Sequence, residues 1–331
     1  MNPMNCTTTV KNIFFVGFTE SAMLQYVLFA TFLIIYTMTW LGNVTIITTV
    51  IIDQELHKPM YFFLGNLALI DLSESSVTLP KMLWDFLSEY KSISFGGCIA
   101  QIFFFHFTGG AVVVILTVMT LDRYVAVHKP LQYLNIMNHN VCLGLVAGAW
   151  IGGFVHSIVQ VALIIQLPFC GPNLLDNFYC DFPQVIKLAC TDIYAVELLM
   201  VSNSGLLMIL IFIVLIVSHV VILVKIRAHI TQGKHKAFST CGAQVAVVSI
   251  HFVPCIFIYA WPFKKFVADK AMSSLYTIIT PMLNPIIYTL RNTEMKNAIK
   301  KFLNNLSWKR PLRSSSPTFN LVLKSTTKPC Y

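Results

Sequence analysis

An acid and an arginine, Asp122 and Arg123, stand side by side where a long apolar run that begins near Cys98 stops. A charge at a bilayer centre costs roughly 2.5–3.5 kcal/mol on insertion scales, so a spanning helix usually carries such a pair near its end. At a water-facing mouth the two can pair with each other or receive a partner protein. Two more acids, Asp71 and Glu74, lie inside another apolar run, where a carboxyl must be protonated, paired or bound to a cation. The segment Phe103 to Gly110 sets His106 among phenylalanines, followed by Gly109 and Gly110. Residues 105, 106, 109 and 110 fall near one face of a helix. Small residues beside rings and one imidazole suit an apolar cavity with few polar groups, and equally suit close helix–helix packing. No HExxH motif, nucleophile elbow or catalytic carboxylate pair occurs in the apolar runs, and the His and Cys residues are scattered, which argues against an enzyme.

The elements that hold these residues follow from composition. The chain has 331 residues, 56% hydrophobic and only 11% charged, with a mean hydropathy of +0.71; soluble domains carry about 25% charged residues. Spans need about 20 predominantly apolar residues, and seven stretches qualify: 24–52, 60–87, 98–122, 141–165, 197–224, 238–262 and 271–290. The second, with its two acids, and the seventh, rich in Ser, Thr and Pro, are the least clean. The expected fold is an all-α seven-transmembrane bundle: an extracellular tail over 1–23, the bundle over 24–290, an amphipathic surface helix over 291–303 and a disordered cytoplasmic tail over 304–331. With the amino terminus outside, 16 of the 23 Lys and Arg residues fall on the inner side and seven on the outer, as the positive-inside rule asks. The net charge of +9 then faces anionic membrane lipid, and no nucleic acid is needed to explain it. The first 20 residues lack a basic region followed by an apolar core, so the first span acts as its own insertion signal. A channel or transporter would show internal repeats, matched broken helices or rings of pore charge, and none is seen.

Asn5-Cys6-Thr7 fits a glycan acceptor site on the outer side; Asn43-Val44-Thr45 and Asn305-Leu306-Ser307 fit the pattern but lie in a span and in the cytosol. Of nine cysteines, Cys142, Cys241, Cys255 and Cys330 fall in membrane or cytosolic segments and are expected as thiols. Cys6 is in the outer tail. Cys98, Cys170, Cys180 and Cys190 remain, and four cysteines allow three pairings.

Met119 to Tyr133, MTLDRYVAVHKPLQY, resembles the MAYDRYVAICxPLxY signature of olfactory receptors, a branch of the rhodopsin-like G-protein-coupled receptors. Leu56–Leu64 (LHKPMYFFL), Lys236–Cys241 (KAFSTC) and Pro281–Asn292 (PMLNPIIYTLRN) resemble three further motifs of that family, in order and on the expected sides. The likeness covers roughly residues 10–303.

The resemblance implies a receptor that binds a small volatile ligand within the bundle and activates the stimulatory olfactory G protein, raising cyclic AMP, from a multi-pass position in the plasma membrane. It selects Cys98–Cys180 and Cys170–Cys190 among the pairings. By position it implies ligand contacts at Phe105, His106, Gly109, Gly110, Ser202, Ser204, Tyr259 and Thr277. It assigns coupling and switching to Asp122, Arg123, Tyr124, Lys236, Asn284, Pro285 and Tyr288. Pro285 also reads as a kink from its own chemistry, since proline removes a backbone donor inside a helix. Asn43 and Asp71 form the polar core, with Asp71 either hydrogen-bonded to Asn43 and Asn284 or holding sodium. The sequence departs from the family at Val112, where a Glu is usual, at His128, at His219, at Gln244 and at His251. The departures at Val112, His219 and Gln244 keep open a receptor-like protein with weak or no coupling. No acid or arginine falls at the deep pocket positions, which favours a weakly polar ligand over an amine or a carboxylate. No cofactor is implied.

Overall fold

The structure is a computed structural model that describes residues 10–19, 21–170, 173–229, 234–260 and 268–308. Asn5, Cys6, Cys330 and most of the expected tail lie outside the described residues, and the side chain of Lys236 is also outside them. Seven helical spans form one bundle. They are α1 (Ala22–Ile52), α2 (Pro59–Leu87) and α3 (Phe95–His128), then, after the short α4 (Tyr133–Ile136), α5 (His139–Ile165). The short α6 (Phe182–Val185) lies in the following loop. The fifth span is α7 (Tyr194–Met200) continued through a π-helical turn, Val201–Leu206, into α8 (Leu207–His229). The sixth is α9 (Lys234–Tyr259). The seventh is α10 (Asp269–Ser274), a second π turn (Leu275–Ile279) and α11 (Thr280–Arg291). Five of these stretches are long and apolar enough to cross a membrane by length and composition alone. The other two are the acid-bearing second span and the Ser-, Thr- and Pro-rich seventh.

The helix ends are written in the sequence. Ser94 Oγ accepts from the Gly97 amide at 3.1 Å to start α3, and Asn138 Oδ1 accepts from the Val141 amide at 3.1 Å to start α5. Pro59 opens α2, where its missing N–H costs nothing. Within the spans, hydroxyls fold back on carbonyls one turn earlier, as Thr39 does on Ile35 (2.9 Å) and Thr117 on Val113 (2.8 Å). A polar side chain is thereby satisfied where no water is present.

Two apolar clusters stack along the bundle. One, nearer Asp122, includes Phe63, Leu67, Ile115, Val247 and Phe252; the other includes Ile102, Phe105, Tyr179 and Phe182. Large apolar residues such as Leu41, Ile151, Leu210 and Val214 point outward, as a lipid-facing surface requires. At the end away from Asp122, β1 (Asn12–Phe15) pairs antiparallel with β2 (Ser92–Ser94) and parallel with β3 (Leu174–Leu175), laying the amino-terminal segment over the bundle. Two disulfides pin the same end: Cys98–Cys180, with S–S 2.04 Å, and Cys170–Cys190, with S–S 2.06 Å. Cys142, Cys241 and Cys255 are buried free thiols.

At the opposite end α12 (Thr293–Trp308) turns away from the seventh span. It seats Met295 and Ala298 in the core and pairs Glu294 with Lys58 (2.9 Å) and Lys301 with Asp53 (3.4 Å). The helix runs past residue 303, so its last turn occupies the start of the segment expected as tail.

Candidate functional site

Two helix flaws open the middle of the bundle. The π turn at Val201–Leu206 widens the fifth span, and Gly205 lets its backbone pass close to α9: an added Cβ there would meet the Tyr259 carbonyl at 2.7 Å. On the other side Gly110 and Gly153 bring α3 and α5 together, since a Cβ on Gly153 would lie 2.3 Å from the Phe107 carbonyl. Between these contacts lies a cavity of about 200 Å³.

Six of the expected ligand residues line it: Phe105, His106, Gly109, Gly110, Ser204 and Tyr259. Gly109 faces open space and Gly110 is in contact range of Gly153, so the two glycines do different work. Ser202 and Thr277 are not in the lining. Ser202 is exposed with its hydroxyl on the Leu199 carbonyl (3.0 Å), because the π turn rotates it outward; Thr277 is fully buried on the Ser273 carbonyl (2.8 Å). The remaining wall is mostly apolar (Val113, Leu207, Met208, Ile211) with a few polar groups that the residue pattern did not assign: Glu74, His156, Asn203, His251 and Tyr276. Glu74 overturns the expectation of no acidic anchor. It sits three residues beyond Asp71, on the same face of α2, and is 2% exposed.

A polar lid closes the disulfide end of the cavity. Asp181, next to Cys180, accepts from Tyr259 Oη (2.8 Å), Tyr179 Oη (3.0 Å) and the Phe182 amide (2.8 Å). The Tyr179 and Tyr276 hydroxyls meet at 2.8 Å. Burial pushes the Asp181 carboxyl up to about 6 even though three donors favour its charged form, and burial with that neighbouring charge pushes the Tyr179 phenol up. The Asp-Phe-Pro that follows Cys180 was the sequence signal, legible only once the disulfide anchors it over the bundle.

The polar core is built around Pro285. Lacking an N–H, Pro285 cannot bond the carbonyl of Pro281, four residues back. Asn43 Nδ2 fills that vacancy at 3.1 Å and also reaches the Thr39 carbonyl at 2.9 Å. Asn284 Nδ2 contacts both carboxyl oxygens of Asp71 at 3.0 Å. Asp71 is thus held by Asn284 alone of the two expected amides, because Asn43 is committed to the proline gap. Among the described residues no group of three or more His, Cys, Asp or Glu is placed to hold a metal ion. Tyr288 is buried, its hydroxyl without a partner among the described residues.

At the Asp122 end the acid and the arginine do not face each other, and among the described residues no ion pair joins them. Asp122, 1% exposed, accepts from Tyr133 Oη of α4 at 2.7 Å. Burial, followed by the Asp122 charge, pushes the Tyr133 phenol up. The Arg123 guanidinium instead contacts Met60 Sδ at the start of α2, and Tyr124 stacks on His128. Two of the family departures meet nearby. Gln244 donates to Thr120 Oγ1 (3.3 Å), and His219 donates from Nδ1 to the Leu215 carbonyl (2.7 Å). Val112 is a plain core residue.

A model of the olfactory receptor family matches residues 32–306. Human olfactory receptor 4D1 is 58% identical over 301 residues, covering 91% of this chain and 97% of that protein. Human olfactory receptor 4Q3 is 60% identical over 262 residues, covering 79% and 84%. Mouse olfactory receptor 4E2 is 49% identical over 293 residues, covering 88% and 95%. With the seven-helix bundle, its interhelical cavity and these matches along nearly its whole length, the chain belongs to the olfactory receptor family, multi-pass receptors of the plasma membrane and not enzymes.

Proposed function

We propose that the chain binds a small volatile ligand in the interhelical cavity and, when it does, activates a stimulatory heterotrimeric G protein that raises cyclic AMP. The observation that carries this reading is the cavity itself, mostly apolar and placed between two helix flaws. An engineered cavity of about 150 Å³ admits benzene, so about 200 Å³ suits a molecule of roughly six to ten heavy atoms. Only a ligand with different affinity for two receptor states can shift them. The kinked seventh span and the two π turns are the elements with alternative arrangements of similar energy.

In this reading the disulfide end faces outward, the Asp122 end faces the cytoplasm and α12 lies on the inner lipid surface. Tyr133 holds Asp122 at rest, which leaves Arg123 available to a transducer once the inner ends of the third, fifth and sixth spans separate. Asn284, Pro285 and Tyr288 form the hinge of that motion, and Lys236 flanks the opening. Sodium at Asp71 and a glycan on Asn5 belong to the same reading.

The test is a cyclic AMP reporter in cells with receptor-trafficking chaperones, screened with a broad odorant panel, surface level measured for each variant. The parent is expected to respond, and Arg123→Ala to lose at least nine-tenths of the response at equal surface level. An undiminished Arg123→Ala response would overturn the coupling role. Silence of the parent at good surface level would favour the poorly coupled receptor that His219 and Gln244 keep open.

A further inference from the structure

Among the described residues Glu74 is a buried acid of the bundle interior to which the fold gives no partner. Asp71 is bound through both oxygens by Asn284 and Asp122 by Tyr133. Glu74 is buried and lines the cavity, and no hydrogen bond or ion pair reaches its carboxyl among the described residues. A carboxyl at that depth is either protonated or met by a cation, and among the described residues no Lys or Arg side chain lines the space it faces.

His106 fixes the polarity of the site further. Its Nδ1 lies 3.0 Å from the Ile102 carbonyl. A carbonyl only accepts, so Nδ1 carries the proton and Nε2 of the neutral ring keeps a lone pair. That Nε2 is buried and has no partner among the described residues, and His106 lines the same cavity. An unpaired carboxyl and an imidazole acceptor, set in a wall of Val113, Leu207, Met208 and Ile211, suit a ligand that is a cation and a hydrogen-bond donor at one end and apolar along the rest.

We infer that the cavity recognises a small protonated aliphatic amine, its ammonium group on Glu74 with a second hydrogen bond to His106 Nε2. This rests on the proposed ligand role of the cavity and names the ligand class. A neutral alcohol of the same length fills the same apolar wall but leaves Glu74 without its counter-charge, and a carboxylic acid meets a like charge.

Binding is read apart from signalling. Purified receptor in lipid nanodiscs is titrated with hexylamine, hexanol and hexanoate, and the shift in thermal unfolding is followed. Hexylamine is expected to half-saturate at a concentration at least tenfold below hexanol, with hexanoate weaker than both. Glu74→Gln, which keeps shape and removes charge, is expected to raise the hexylamine value at least tenfold and leave hexanol unchanged. Equal values for hexylamine and hexanol overturn the inference, as does an amine shift that persists in Glu74→Gln. If that variant does not fold, the parent's preference among the three probes decides alone. The two readings fail separately. Selective amine binding without a cyclic AMP response sinks the coupling reading only, whereas a cyclic AMP response to neutral odorants with no amine preference sinks this one only.

Discussion

At the scale of single residues, the lid over the cavity is where electrostatics and structure are most tightly coupled. Asp181 is held inside a ring of hydroxyls, with burial raising its carboxyl from 3.8 to about 6. Between those two values the folded protein keeps a proton that the unfolded chain has already released. Stability therefore falls as pH rises from about 4 through 6, and levels above that. Two pKa units correspond to about 3 kcal/mol at most. Asp181→Asn retains an acceptor for Tyr259 and Tyr179 and cannot titrate. Thermal unfolding of the purified receptor between pH 4 and 7.5 should show the parent losing more stability on raising pH than the variant does. Parallel curves would mean that Asp181 titrates normally. Tyr259 gains a second meaning here. The resemblance placed it in the ligand pocket, and the geometry ties it to the lid as well, so Tyr259→Phe should shift ligand response and loosen the loop together.

At the scale of elements, how much was legible depended on whether the feature is local. The seven spans were readable because each is a long apolar run, and their observed ends fall within a few residues of the expected ones, apart from the far ends of α3 and α8, which run on by six and five. The backbone gap at Pro285 was readable because proline acts on its own backbone. Asn43 was recognised as a polar-core residue but with the wrong partner: the missing bond at Pro281 belongs to another helix and can be located only once α1 and α11 are packed together. Gly42 makes that approach possible, since a Cβ there would already sit 3.0 Å from Pro285. The π turn was invisible for a related reason. Its residues read as an ordinary helix, and the rotation that sends Ser202 outward and keeps Ser204 in the lining comes from packing against α9. Glu74 was seen and left unplaced because whether a side chain faces the bundle or the lipid is a tertiary fact. The Asn43 arrangement gives a direct expectation. Asn43→Leu leaves the Pro281 carbonyl buried and unpaired, at a cost of about 1–3 kcal/mol. It should lower the unfolding temperature of the purified receptor, while Asn43→Asp, with no donor when ionised, should be no better. An unchanged melting temperature in Asn43→Leu would mean that the carbonyl finds another donor.

At the scale of the whole molecule, two unrelated properties predict the same direction across the membrane. Charge is one. With the amino terminus outside, 16 of the 23 Lys and Arg residues lie on the inner side, which is the sense in which basic loops resist translocation. Thiol chemistry is the other. Both disulfides sit at the end that carries the small sheet; of the three buried free thiols, Cys142 and Cys241 lie near the starts of helices that begin at the opposite end and Cys255 lies within the bundle. Disulfides persist in oxidising compartments and thiols in reducing ones, so the sheet end is predicted to face the lumen and then the cell exterior. The two arguments share no residue, which makes the prediction severe. An epitope placed before residue 10 should be stained on intact cells and one placed after residue 331 only after permeabilisation. The Cys98–Cys180 bond closes a separation of 82 residues, and losing a cross-link of that span costs about 4 kcal/mol of chain-entropy restraint. Cys180→Ser should therefore retain most of the receptor inside the cell without inverting it, because the charge bias is untouched. A carboxyl-terminal epitope exposed on intact cells, in the parent or in Cys180→Ser, would break the charge argument and with it the assignment of Arg123 to the transducer side.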